Sequence, residues 1–107
     1  MDQPMLSMQQ SFFIGDLFID PIGYQVKVGQ NELNLTLKEF NLLFLFAANR
    51  GKLVTRSELL PFISSPDNNN RSRGVDVMIC RLRKKIELDS HHPKHLISVR
   101  GLGYKLK

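Results

Sequence analysis

The stretch 36–51 is the strongest constraint on how this chain can fold. Leu37, Phe40, Leu42, Leu43, Phe44, Leu45 and Phe46, placed at about 100° per residue, cover nearly every side of a helix. A helix that is apolar all round has to be enclosed by other elements or by lipid. No apolar run approaches the roughly 20 residues that a bilayer span needs, so this helix is expected at the centre of a protein core. Its start is sharply encoded. Thr36-Leu37-Lys38-Glu39 is a capping box, in which the threonine hydroxyl accepts the Glu39 amide and the glutamate reaches back to the Thr36 amide. Leu35 and Phe40 occupy the staple positions, and the cap contributes about 1 kcal/mol. Gly51 is a suitable left-handed terminator, which places the helix end near Asn49.

The same device recurs at Thr55-Arg56-Ser57-Glu58, with Val54 and Leu59 as the staple pair. Pro61 should keep that second helix short. Before the first helix, short apolar runs at 11–14, 17–19, 24–28 and 32–35 are separated by Gly15-Asp16, Asp20-Pro21 and Gly29-Gln30-Asn31. Tyr24, Val26 and Val28 alternate with Gln25 and Lys27, the period of a half-buried strand. An antiparallel sheet of about four strands is expected there, and Leu53-Val54 could add a short strand. Residues 64–70 read as a loop. A third helix is expected from a cap at Ser72 to about Leu88, followed by a hairpin of 96–99 and 104–106 around Arg100-Gly101-Leu102-Gly103. At 107 residues, 42% hydrophobic and 23% charged, the chain reads as one globular domain over 11–107. Residues 1–10 read as a flexible lead-in with no signal-peptide pattern.

Charge is unevenly distributed. Residues 1–70 carry five basic and seven acidic groups, whereas 71–107 carry ten and three. A net of −2 thus gives way to a net of +7, the footprint of a polyanion binder; charge alone leaves open a solvated surface with no partner. The third helix narrows the choice. Val75, Ile79, Leu82 and Ile86 fall within about 60° of one another on the helical wheel and form a core-facing stripe. The opposite side presents Arg73, Val77, Cys80, Arg81 and Lys84. Asp76 and Arg83 lie on one edge, Met78 and Lys85 on the other. Such a face suits double-stranded DNA: cations for phosphates, an arginine for guanine O6 and N7, and a valine for a thymine methyl. Arg100, at the tip of a thin hairpin backed by Lys105 and Lys107, suits a narrow minor groove.

Other chemistries find less support. His91, His92 and His95 straddle Pro93, and Cys80 lies on the far face of a helix, so these groups do not converge as zinc ligands must. Ser57 and Glu58 are explained by capping rather than nucleophile activation. No Gly-rich phosphate loop follows a strand. An enzyme is therefore not expected, and no cofactor is implied. The single cysteine fits a reducing cytoplasm. A protein-interaction module and a non-specific nucleic-acid binder remain alternatives to a sequence-specific reader.

Four segments carry a resemblance: Leu35-Thr36-Leu37-Lys38-Glu39-Phe40-Asn41-Leu42-Leu43; Gly51-Lys52-Leu53-Val54-Thr55-Arg56-Ser57-Glu58-Leu59; the stretch 73–87; and Val99-Arg100-Gly101-Leu102-Gly103-Tyr104. In this order, over about 12–107, the chain resembles the winged-helix effector domain of OmpR/PhoB-type response regulators. The resemblance implies an α+β winged helix-turn-helix: a four-stranded antiparallel sheet, three helices and a C-terminal β-hairpin wing. It implies a sequence-specific transcriptional regulator whose recognition helix, about 73–88, enters the major groove. Arg73 then matches a phosphate contact, Val77 and Arg81 base contacts, Arg83 a backbone contact, Arg100 the wing arginine and Tyr104 a phosphate contact. Gly74, Met78, Cys80 and Lys84 complete the implied DNA-facing set. Gly74 stands where a side chain, often hydroxylic, is usual, and Met78 and Cys80 where polar or basic residues are common, so base preference does not carry over. The loop at about 62–71, including Ser64, Ser65, Asp67, Asn68, Asn69 and Asn70, matches a segment that touches RNA polymerase. The family commonly forms head-to-tail dimers on direct repeats. A sensor kinase enters only if a receiver domain lies outside these residues.

Overall fold

The computed structural model describes residues 10–63 and 71–107. The expected lead-in, apart from Gln10, and Ser64, Ser65, Asp67, Asn68, Asn69 and Asn70 of the expected polymerase loop lie outside the described residues. Four strands, β1 (Phe12–Ile14), β2 (Leu17–Asp20), β3 (Gln25–Val28) and β4 (Asn31–Glu32), form an antiparallel sheet in chain order. Helix α1 (Leu37–Ala48) follows, then β5 (Val54–Thr55) and the short helix α2 (Arg56–Leu59), which runs into a 3-10 turn at Leu60–Phe62. Helix α3 (Arg71–Ile86) leads to the hairpin of β6 (Leu96–Val99) and β7 (Gly103–Leu106). β7 lies between β6 and β5 in a three-stranded sheet.

Both capping boxes form. Thr36 Oγ1 accepts from the Glu39 amide at 3.1 Å, and Glu39 Oε1 accepts from the Thr36 amide at 2.9 Å. The pair Thr55 and Glu58 repeats this at 3.2 and 2.8 Å. Alternation places Ile14, Leu17, Ile19 and Val26 on the inner face of the first sheet. They join Phe40, Leu42, Leu43 and Phe46 of α1, Leu59 of α2, the predicted stripe Val75, Ile79, Leu82 and Ile86, and Leu96 and Leu106 of the hairpin in one buried cluster.

Several boundaries differ from expectation for local reasons. Tyr24 is not in a strand. It closes the turn after β2 with φ +53°, where Asp20 Oδ1 accepts from the Ile22 and Gly23 amides, and its ring packs 5.0 Å from that of Phe40. β4 stops at Glu32, although the Leu33 amide still donates to Val26 O at 2.8 Å. Leu37 is 64% exposed, because the first position of α1 points away from the sheet; α1 is apolar on fewer sides than its composition suggests. Ser72 lies within α3 rather than at its cap, and α3 ends at Ile86 rather than Leu88. At that end the Glu87 amide still donates to Arg83 O at 2.9 Å, while the Glu87 side chain is buried and Leu88 is 97% exposed.

Candidate nucleic-acid interface

The stripe that buries Val75, Ile79, Leu82 and Ile86 fixes the rotation of α3, so its other side must face out. Arg73, Val77, Cys80, Arg81 and Lys84 are all exposed, with Val77 44% accessible and Cys80 a free thiol. Among the described residues, no carboxylate pairs with Arg73, Arg81, Lys84 or Arg100, and all four side chains are exposed. Gly74 and Met78 are half-buried. They line a groove of about 500 Å³ between the N-terminal half of α3, the 3-10 turn and the start of α1, together with Arg73, Val77 and Arg81. Gly74 has a packing reason. A Cβ there would lie 3.0 Å from Ile63 Cγ2, so the missing side chain lets α3 sit close against the turn.

Two long-range links set the wing beside this face. The Arg56 amide, at the start of α2, donates to Leu102 O in the wing turn at 3.1 Å. Arg83 reaches from α3 to β6: its Nε and Nη2 donate to Leu96 O at 3.0 and 2.8 Å, and Nη2 also to Ser98 Oγ at 3.0 Å. Arg100 is exposed in the turn between β6 and β7. The wing is thus tied to α2 at its turn and to α3 along β6.

Residues 30–106 match the family described as "Transcriptional regulatory protein, C terminal". The chain belongs to this family. The alkaline phosphatase synthesis transcriptional regulatory protein PhoP of Bacillus subtilis is 40% identical over 100 residues, covering 94% of this chain and 42% of PhoP. The chain thus spans less than half the length of that relative. The response regulator DrrB of Thermotoga maritima, described as an OmpR/PhoB homologue, has a TM-score of 0.81 at 38% identity, covering 91% of this chain and 44% of DrrB. The RstA DNA-binding domain of Klebsiella pneumoniae, solved in complex with the RstA box, has a TM-score of 0.77 at 32% identity, covering 90% and 95%. The expected four-stranded sheet, three helices and C-terminal wing are those of an OmpR/PhoB-type winged-helix domain.

In this OmpR/PhoB-type domain, one cluster beside the reading face was not anticipated as a unit. Asp76 Oδ1 accepts from Arg56 Nη1 at 2.8 Å and from the Tyr104 hydroxyl at 2.6 Å. The Arg83 guanidinium lies 5.3 Å from the centre of the Tyr104 ring, within the range of a cation–π contact. The sequence placed Asp76 at the edge of the helix and treated Arg56 as part of a cap. The opposite edge is tied down as well. Lys85 Nζ donates to Glu39 Oε1 at 2.6 Å and to Asn34 O at 2.9 Å.

The hydrogen bond from Arg56, then that from Tyr104, holds the Asp76 carboxyl below the usual carboxylate range. A carboxyl depressed in the folded state stabilises the fold fully above its unfolded value, about 3.9. That contribution is lost as pH falls through the lower folded value. Asp76→Asn should therefore be less stable than the parent domain at neutral pH, and the gap should close as the solution is acidified below about pH 4. Urea midpoints at several pH values check this; a gap that stays constant into acid would show that the ion pair is not its source.

No helix among the described residues is long and apolar enough to cross a membrane.

Proposed function

We propose that this domain binds double-stranded DNA sequence-specifically and regulates transcription, with α3 in the major groove and Arg100 of the wing in the adjacent minor groove. The observation that carries the reading is the outward side of α3. It places Arg73, Arg81 and Lys84, which have no acidic partner among the described residues, around the apolar Val77 on a helix whose rotation is locked by its buried stripe. Sixteen residues of α3 span about 24 Å, enough to lie along a groove. In this reading Arg73 and Lys84 hold phosphates. Arg81 bonds a guanine edge, Val77 meets a thymine methyl, and Met78 and Cys80 border the same bases. The relationship to the RstA domain, solved on its DNA box, supports the assignment.

The wider partnerships rest on family membership. Head-to-tail pairing on direct repeats and contact of the 62–71 segment with RNA polymerase are proposed on that ground. Control by a sensor kinase through a receiver domain, as part of a longer regulator working in the cytoplasm, is proposed likewise.

The test is selection of bound duplexes from a random pool, with the parent domain and with Arg81→Ala. The variant should bind its best site about 1–3 kcal/mol more weakly and relax one base position. An unchanged consensus would overturn the role given to Arg81. A parent domain that selects no consensus, and whose binding falls only shallowly with salt, would overturn DNA reading altogether. A reader that neutralises several phosphates should show a log–log slope of about −0.9 per contact.

A further inference from the structure

Family resemblance assigns Tyr104 to a DNA phosphate, but its surroundings point elsewhere. The residue is 8% exposed. A phenol has a single proton to donate, and here it goes to Asp76 Oδ1 at 2.6 Å. Arg56 Nη1 donates to the same oxygen at 2.8 Å, and Arg83 lies against the ring. Burial, then the neighbouring Asp76, pushes the phenol above its ordinary range, so the proton stays on the tyrosine oxygen and the direction of the bond is fixed.

Transferring that donor to a phosphate would remove one of the two donors that compensate Asp76. The Asp76 side chain is 54% exposed and sits on the helix proposed to enter the groove. Its charge would then face the phosphates less compensated, and like charges repel across a short distance. Asp76 immediately precedes Val77 and lies five residues before Arg81, so a small rotation of α3 at this point changes what both side chains reach.

Resting on the DNA-binding reading above, we propose that Tyr104 is a positioning residue. It acts on base selection through Asp76, pinning the wing strand β7 to the reading helix α3, and does not donate to a phosphate. Arg56 completes the pin from α2. Three elements that must sit in register against a duplex thus meet on one carboxylate oxygen.

The two roles differ in what they do to specificity and in how they combine. A lost phosphate contact weakens all duplexes alike, because phosphates carry no sequence. A lost pin loosens the helix and erodes discrimination. The experiment is a double-mutant cycle of Tyr104→Phe and Asp76→Ala on the domain, with Asp76→Asn as the variant that keeps an acceptor oxygen at this position. Affinities are measured for a selected duplex and for a scrambled one, and each variant's thermal midpoint is recorded.

Tyr104→Phe should lower the selected-to-scrambled ratio by roughly tenfold while changing scrambled affinity less than about twofold. In the Asp76→Ala background it should add less than about twofold, because coupled partners are not additive. Asp76→Asn should recover part of the ratio lost in Asp76→Ala. Equal losses on both duplexes, or single losses that multiply in the double variant, would overturn the positioning role and return Tyr104 to the phosphate. A parent domain with no preference between the duplexes would overturn the DNA reading itself, so the two failures are told apart at the first measurement.

Discussion

Replacing Gly103 by alanine should cost the domain about 3 kcal/mol or more, a large part of the roughly 5–15 kcal/mol that holds a domain of this size together. Gly103 opens β7 and pairs with Thr55 of β5 on one side and Val99 of β6 on the other. A Cβ there would overlap the Val54 carbonyl oxygen and come within 3.0 Å of Thr55 Cα. Both obstacles are backbone, which cannot swing aside as a flexible side chain can. The strands would have to part, and β5 is where α2 begins. Gly101, two residues earlier in the wing turn, is the control. It has φ +79° and open space around its Cα, so alanine there meets only the left-handed penalty of roughly 1–2 kcal/mol. Urea unfolding of both variants decides the matter. If Gly103→Ala loses no more than Gly101→Ala, close approach is not what requires glycine at 103. The functional consequence is a wing no longer seated beside α3, so DNA affinity should fall further in Gly103→Ala than in Gly101→Ala at equal fraction folded.

What was legible in the sequence was whatever is encoded within a few residues. Both capping boxes span four positions, and both formed. The stripe Val75, Ile79, Leu82 and Ile86 repeats at helical spacing, so its burial, and with it the exposure of Arg73, Val77, Cys80, Arg81 and Lys84, could be read from a wheel. The hairpin followed from two apolar runs around Arg100-Gly101-Leu102-Gly103. Tyr24 shows how the same logic overreaches. Its alternation with Val26 and Val28 continues a strand pattern by one residue, and nothing local reveals that Asp20 gathers the amides of Ile22 and Gly23 into a turn. Leu37 fails for a related reason. An apolar residue in the first turn reads as core, but burial depends on where the sheet lies.

The features that escaped are contacts between residues far apart in the chain. Gly103 looks like a turn glycine until β5, some fifty residues earlier, is laid against it. Asp76 is bonded to Arg56 and Tyr104, 20 and 28 residues away, so its place in the cluster has no local signature. The DNA-facing set inherited from resemblance mixed two kinds of residue for this reason. Arg73, Arg81, Lys84 and Arg100 are exposed with no acidic partner among the described residues, whereas Arg83 and Tyr104 also make hydrogen bonds between α3 and the hairpin. A motif records that a position matters and not which neighbour it serves.

Glu87 is the sharpest such case and should yield the second large effect. After Arg83-Lys84-Lys85 at a helix end it reads as a solvated acid, yet it is 8% exposed. Its Oε1 accepts from the Lys94 amide at 2.8 Å and the His95 amide at 3.2 Å, and its Oε2 from the His95 and Leu96 amides at 3.1 and 2.8 Å. One carboxylate thus satisfies three successive backbone donors at the entry to β6, partly buried at Lys94 and His95 and fully buried at Leu96. Glu87→Ala should strand those amides and cost about 3 kcal/mol, since each hydrogen bond to a charged group contributes roughly 1.5–3 kcal/mol and water will reclaim part of the loss. Glu87→Gln should recover only part, because its NH₂ would meet a donor where the second oxygen stood. Denaturant midpoints give the magnitudes, and amide exchange gives the place: the Lys94, His95 and Leu96 amides should exchange faster than global unfolding allows. A loss within about 0.5 kcal/mol, the range of an ordinary surface substitution, would mean that this carboxylate is not what holds the segment. The effect should reach the wing as well. Leu96, whose amide Glu87 holds, offers its carbonyl to Arg83, and Arg83 lies against Tyr104. Loosening the entry to β6 should therefore disturb the α3–wing junction from its far end and lower sequence discrimination without removing a single side chain proposed to touch DNA.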